Sequence, residues 1–163
     1  MPLTRSEWFE GTNPTHMLYL LGDGISARKR RLFGVACCRK IESLLTADTK
    51  SALNTAERFA EGHADSKDRA AARGLAMKAA WPGVPELSAD QPPQPFGQAK
   101  QAVVNLLEYG AREAVRLAAT HAAYATIGLA GEQYPKEAEE RNDWYRSQYH
   151  IHRERQADLL RHM

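Results

Sequence analysis

Apolar residues recur at spacings of three and four along most of this chain, and no segment alternates apolar and polar residues over the length of a strand. Glycine and proline fall between the periodic stretches rather than inside them, cutting the chain into helical pieces. Thr4-Arg5-Ser6-Glu7 has capping-box spacing and opens a short helix carrying Trp8 and Phe9. Asn13 followed by Pro14 is an N-cap with proline at the first helical position, and Gly22 stops that second helix. Ser26 caps a third helix, predicted to run to about Leu45. A fourth covers roughly Thr49–Glu61 and ends at Gly62, and Ser66 caps a fifth, alanine-rich helix reaching about Ala80.

The stretch from Trp81 to Gly97 breaks the pattern, because five of the eight prolines lie there (Pro82, Pro85, Pro92, Pro93 and Pro95) and no helix can cross it. It is predicted to be an irregular connector pinned by Trp81 and Phe96. A long helix over about Gln98–Leu129 and a last one from Pro135 to near His162 complete the chain. The predicted architecture is an all-α helical bundle of about seven helices in a single domain. Its N-terminal five-helix part spans residues 1–80, a Pro-rich connector 81–97, and a C-terminal long helical hairpin 98–163.

Projecting residues at about 100° intervals separates inward from outward faces. In the third helix Phe33, Ala36, Cys37, Ile41 and Leu44 share the predicted inner face, with Cys38 on its flank. Arg28, Arg31, Val35, Arg39 and Glu42 fall opposite. The long sixth helix buries a stripe from Val103 through Leu106, Leu107, Gly110 and Ala114 to His121 and Ala125. The last helix puts Tyr145, Tyr149, His152, Leu159 and Leu160 together with Arg141, Gln148 and Gln156. That face is polar for a core, and either partly solvated or built around hydrogen bonds.

Composition narrows the function classes. Charged residues make up 26% of the 163 and hydrophobic ones 43%, as in an ordinary globular domain long enough to bury a core. The net charge of +2 is too small to mark the whole chain as a binder of nucleic acid or membrane. The charge is uneven, with 13 Lys and Arg against 9 Asp and Glu in residues 1–80 and 9 against 11 in residues 81–163. No stretch approaches the roughly 18 uncharged apolar residues of a membrane span, and the first residues lack the apolar core of a signal peptide. With only Cys37 and Cys38, adjacent in sequence, there is no disulfide framework, so a cytoplasmic location is expected.

The densest charge feature is Arg28-Lys29-Arg30-Arg31 with Arg39 and Lys40, placed where cations oppose the dipole of the third helix. His150 and His152 are two residues apart and point roughly 200° from one another on a helix, so they cannot share a metal ion. His121 and His152 face inward on the two arms of the predicted hairpin and are the metal candidates, although no further ligands accompany them. Cys38 lies beside basic residues that would lower a thiol pKa. There is no glycine-rich phosphate loop, nucleophile elbow or carboxylate pair at a catalytic spacing.

Glu7-Trp8-Phe9, Pro14-x-x-Met17-Leu18, Ser26-x-Arg28-Lys29-x-Arg31-Leu32-Phe33-x-x-Ala36-Cys37-Cys38-Arg39-Lys40-Ile41 and Ala56-Glu57-Arg58-x-Ala60-x-Gly62 resemble a family of helical proteins abundant in planctomycete bacteria. The hallmark of that family is a stretch like "RKLRLFACACCRRI". The resemblance covers about residues 5–62 and the closing Gln156–Arg161. It implies a bacterial cytoplasmic helical protein and an adaptor-like role, and brings no cofactor or catalytic residue. The leading expectation is therefore a protein-interaction or scaffold module without catalytic activity or cofactor. Its contact surface would be Arg28, Lys29, Arg31, Val35 and Arg39, and its partner another protein rather than a membrane. Two alternatives stay open: a nucleic-acid binder using Arg28–Arg31, Arg39 and Lys40, and a metal- or thiol-dependent enzyme around His121, His152 or Cys38.

Overall fold

The computed structural model describes residues 5–80, 94–108, 110–130 and 133–162. Among them are eight α-helices and no strand: α1 (Arg5–Glu10), α2 (Pro14–Leu20), α3 (Ala27–Arg39), α4 (Ala47–Glu61), α5 (Ser66–Ala80), α6 (Pro95–Leu106), α7 (Ala111–Leu129) and α8 (Ala138–Arg161). The all-α bundle expected from the periodicity is what the chain forms. Trp81 and most of the Pro-rich connector lie outside the described residues.

Local chemistry sets most boundaries. The Asn13 Oδ1 accepts from the Thr15 and His16 amides at 3.0 and 3.4 Å, with Pro14 next in line, which starts α2. The Ser26 Oγ accepts from the Lys29 amide at 3.2 Å and starts α3. Gly62 takes φ +83°, a left-handed turn that ends α4 as the His63 amide reaches back to the Arg58 carbonyl at 2.7 Å.

Several boundaries differ from expectation for identifiable reasons. α3 stops at Arg39 rather than near Leu45; a single 3-10 turn over Glu42–Leu44 follows, and Thr46 caps α4. Asp65, not Ser66, caps α5: its Oδ1 accepts from the Lys67 and Asp68 amides at 2.7 and 2.9 Å, while the Asp65 amide donates to the Asp68 carboxylate. α6 begins at Pro95, so the last residues of the expected connector are helical, and Phe96 is 60% exposed instead of pinned.

The largest difference is the helix expected over Gln98–Leu129, which is divided into α6, ending at Leu106, and α7, starting at Ala111. Gly110, expected within the buried stripe, is instead the exposed N-cap of α7. The break lets α6 fold back onto α7, the most extensive helix pairing among the described residues. α3 packs on α7 and α4, α5 bridges α4 and α6, and α8 lies across α7, α2 and α3.

Burial of apolar surface along these contacts supplies the main favourable term. Phe33, Met17, Leu53, Val103, Leu106, Leu107 and Val115 are sealed from solvent, and α7 contributes a run of buried alanines. Those small side chains bring helices close, and at Gly34 no side chain fits unless a neighbour shifts. A Cβ there would stand 2.6 Å from Leu106 Cδ1 and 3.3 Å from Val115 Cγ2.

Polar side chains then join what apolar packing brings together. Arg31 donates to the Leu106 and Glu108 carbonyls at 3.3 and 3.2 Å, and Arg69 donates to the Leu107 carbonyl at 3.0 Å. These are carbonyls that the end of α6 leaves without helical partners, at the negative end of its dipole. Both guanidinium carbons lie 5.1 Å from the centroid of the Phe59 ring. Arg30 treats the end of α2 in the same way, donating to the carbonyls of Leu18 and Gly22.

Gly34→Val places branched carbon where Leu106 and Val115 already sit, and overpacking of this kind costs about 1–3 kcal/mol. Thermal melting of the variant is expected to fall by about 5 °C, with helix content below the transition unchanged. A variant melting with the parent would contradict the close packing of α3 on α6 and α7.

Candidate functional site

A cleft of about 560 Å³ opens between α3, α7 and α8, within the size range of small-molecule sites. Cys37 and Lys40 line it from the end of α3, and Ala122, Ala123 and Thr126 from the middle of α7. His152, Arg155, Gln156, Asp158, Leu159 and His162 come from the last turns of α8. The cleft exists because α7 offers only two methyl groups and a threonine where α8 passes over it. Its depth is fixed by Gln156, whose Nε2 donates to the Ala119 carbonyl at 2.8 Å while its Oε1 accepts from Arg153 at 3.0 Å.

Arg153 is buried and reaches on to Asn13 and Thr15 at the start of α2. Arg161 donates to the carbonyls of Trp8 and Gly11. These two arginines tie both ends of the cleft's outer wall to the N-terminal helices.

The floor and the rim differ in character. Cys37, Ala122 and Ala123 are buried and Leu159 is half-buried, giving an apolar floor. Around it, Lys40 and Arg155 are exposed and His152 is half-buried. Within the described residues none of these three side chains has a hydrogen-bond or ion-pair partner. Asp158, the acidic lining residue, is ion-paired to Arg161. The His162 Nδ1 donates to the Asp158 carbonyl at 2.7 Å, which leaves Nε2 for other partners. Burial first, and then the neighbouring Arg155 charge, holds the His152 imidazole below its ordinary titration range.

The contact surface expected on α3 is exposed only in part. Arg31 and Val35 are 8% and 3% exposed, because α3 is enclosed by α4, α6 and α7 and the face opposite Phe33 is packed as well. Arg28 and Lys29 are exposed. Arg39 is half-buried and engaged by Glu42 at 3.1 Å, by Asn54 at 2.9 Å and by Glu57. The basic cluster expected to meet nucleic acid is divided likewise: Arg30 and Arg31 are internal, Arg39 is paired, and Lys40 faces the cleft.

Cys37 points inward as expected, but Cys38 is also fully buried instead of flanking. Burial pushes the Cys38 thiol up to about 12, outweighing the opposing pull of Arg39, so it is held as an unreactive thiol. Burial raises the Cys37 thiol in the same direction. The two inward histidines serve different neighbours. The His121 Nδ1 lies 2.6 Å from the Gln98 Oε1 on α6, and since that oxygen only accepts, Nδ1 carries the proton. His152 belongs to the cleft. Among the described residues, no group of three or more His, Cys, Asp or Glu is placed to hold a metal ion.

The polar face of α8 is both half-exposed and hydrogen-bonded. Tyr145 and Tyr149 lie nearly parallel at 6.4 Å between ring centroids, Tyr124 of α7 stands 5.5 Å from Tyr149, and the Arg153 guanidinium lies 5.7 Å from the Tyr149 centroid. Arg155, His162, Ala122, Ala123 and Thr126 were not anticipated as a site. The available signal was the helical spacing of His152, Arg155, Leu159 and His162, which places them along one stripe of α8.

No family model matches the chain, and neither curated proteins nor solved structures yield a match. Among the described residues, no helix is long and apolar enough to cross a membrane.

Two outcomes follow from this environment. Burial depresses the His121 pKa below the ordinary 6.5, so its stabilising contribution is complete above that pH. The contribution is lost as pH falls through the folded value, where the unfolded chain takes up a proton that the folded ring resists. Melting temperature is expected to drop between pH 7 and 5.5 more steeply for the parent than for His121→Gln, and equal slopes would contradict the assignment. Cys38 is expected to resist a disulfide reagent at pH 8 in the native protein and to react on unfolding. Rapid native labelling assigned to Cys38 by peptide mapping would show that it is not enclosed.

Proposed function

We propose that this protein is a recognition module whose ligand is held in the cleft between α3, α7 and α8. The observation that carries the reading is an apolar floor bordered by Lys40, Arg155 and His152, none with a partner inside the fold. Elsewhere the bundle's arginines are mostly engaged: Arg30, Arg31, Arg69, Arg153 and Arg161 on backbone or side-chain acceptors, Arg39 and Arg73 on carboxylates. Cations left unmatched around a concave apolar surface favour a ligand that supplies negative charge and an apolar body. Binding rather than turnover is favoured because burial keeps the lining Cys37 thiol protonated and the lining carboxylate is occupied by Arg161.

A short acidic and apolar segment of a partner protein is the second reading, favoured by the exposure of Lys40, Arg155 and His162 along the open edge. It keeps the expectation of an interaction module and moves the contact from the outer face of α3 to its C-terminal end. The resemblance of residues 5–62 to the planctomycete family fits either reading, as a proposal resting on those motifs.

The test is amide NMR with small apolar probes such as indole and cyclohexanol. Shifts concentrated at Cys37, Ala123, Thr126 and Leu159 are expected, with loss of those shifts in Thr126→Trp, whose indole fills the cleft while melting confirms a folded chain. Shifts scattered over the molecule, or undiminished in a folded Thr126→Trp, would remove the cleft from consideration.

A further inference from the structure

Resting on the cleft as the recognition site, we propose that its ligand is a free amphiphilic monocarboxylate, with its hydrocarbon body on Ala122, Ala123 and Leu159 and its carboxylate held by Arg155, His152 and Lys40. Three features select this chemistry. The open cleft of about 560 Å³ suits one small organic molecule. His152, Arg155, Leu159 and His162 occupy one stripe of α8, so donors and apolar contact lie in line, with Lys40 supplying a cation from the α3 wall.

The third feature limits how much negative charge the ligand can carry. α3 and α8 both present their C-terminal ends to the cleft, Lys40 and His162 being the residues that close them. Helix C-termini carry partial negative charge and offer carbonyls rather than amides. Phosphate sites use the opposite end, where free amides converge on the anion. Here side chains alone provide the donors, and they suit a singly charged planar carboxylate that an arginine can meet with two parallel bonds. A multiply charged phosphate would face the helix ends without a compensating amide nest.

Calorimetry on the full chain with decanoate, decan-1-ol and acetate separates head from body. Decanoate is expected to bind one to one, decan-1-ol at least about tenfold more weakly, as for the loss of a few partly exposed charge contacts, and acetate undetectably. Lys40→Glu with Arg155→Glu should weaken decanoate about tenfold more than it weakens decan-1-ol, since the reversed charges act on the carboxylate. Thr126→Trp should abolish both.

Equal affinity for decanoate and decan-1-ol, or indifference to the charge reversal, overturns the carboxylate assignment while the cleft survives as an apolar site. No decanoate binding overturns it also. Where an acidic, apolar peptide shifts the same amides instead, the site passes to a partner protein. Failure of the underlying reading is distinguishable, because indole and cyclohexanol would then leave Cys37, Ala123 and Leu159 unshifted.

Discussion

The end of α6 is where this fold is decided. A helix that stops inside a protein leaves carbonyls that must find donors, and an unmet buried carbonyl is costly. Here Arg31 from α3 and Arg69 from α5 reach carbonyls of residues 106–108, with Phe59 of α4 against both guanidiniums. Four helices therefore meet at one point, which fixes where α6 turns back and so where α7 runs. Because α7 is the wall on which α8 rests, the cleft depends on this arrangement at one remove.

Other enclosed arginines also join helix termini. Arg30 donates to the carbonyls of Leu18 and Gly22 at the end of α2, Arg153 to the side-chain oxygens of Asn13 and Thr15 at its start, and Arg161 to the carbonyls of Trp8 in α1 and Gly11 just after it. An arginine can be enclosed this way because its planar fork satisfies several acceptors at once, whereas an isolated buried charge would be expelled. Much of the chain's positive charge thus acts as internal cross-bracing. Lys40 and Arg155 have no such duty within the described residues, and both line the cleft with its apolar floor.

Some elements were legible from local signals because the interactions that define them are local. Asn13-Pro14 and Ser26 place helix starts within a residue, and Gly62 places an end, since each acts on amides or carbonyls one turn away. Cys37 and Phe33 fall inside as their spacing requires. Ser66 has the residue type of a cap, yet Asp65 takes the position because Asp68, three residues on, is its reciprocal partner. Phe96 read as an anchor because aromatics usually bury, and it lies in solvent.

The amino-acid order by itself determined that the chain is predominantly helical and where most of those helices start, because caps, glycine turns and a three-to-four residue apolar repeat act over a single turn of chain. Only the tertiary structure decided that α6 ends at Leu106 and a separate α7 starts at Ala111 instead of one continuous helix, since the donors that make an interruption tolerable come from Arg31 and Arg69, far away along the sequence. It likewise decided that Arg31 and Val35 are internal and that Lys40, Ala123 and Arg155 share a cleft. A repeat along one helix marks its apolar face, but whether the opposite face meets water depends on which neighbours arrive, and that is settled by the packing of the whole bundle.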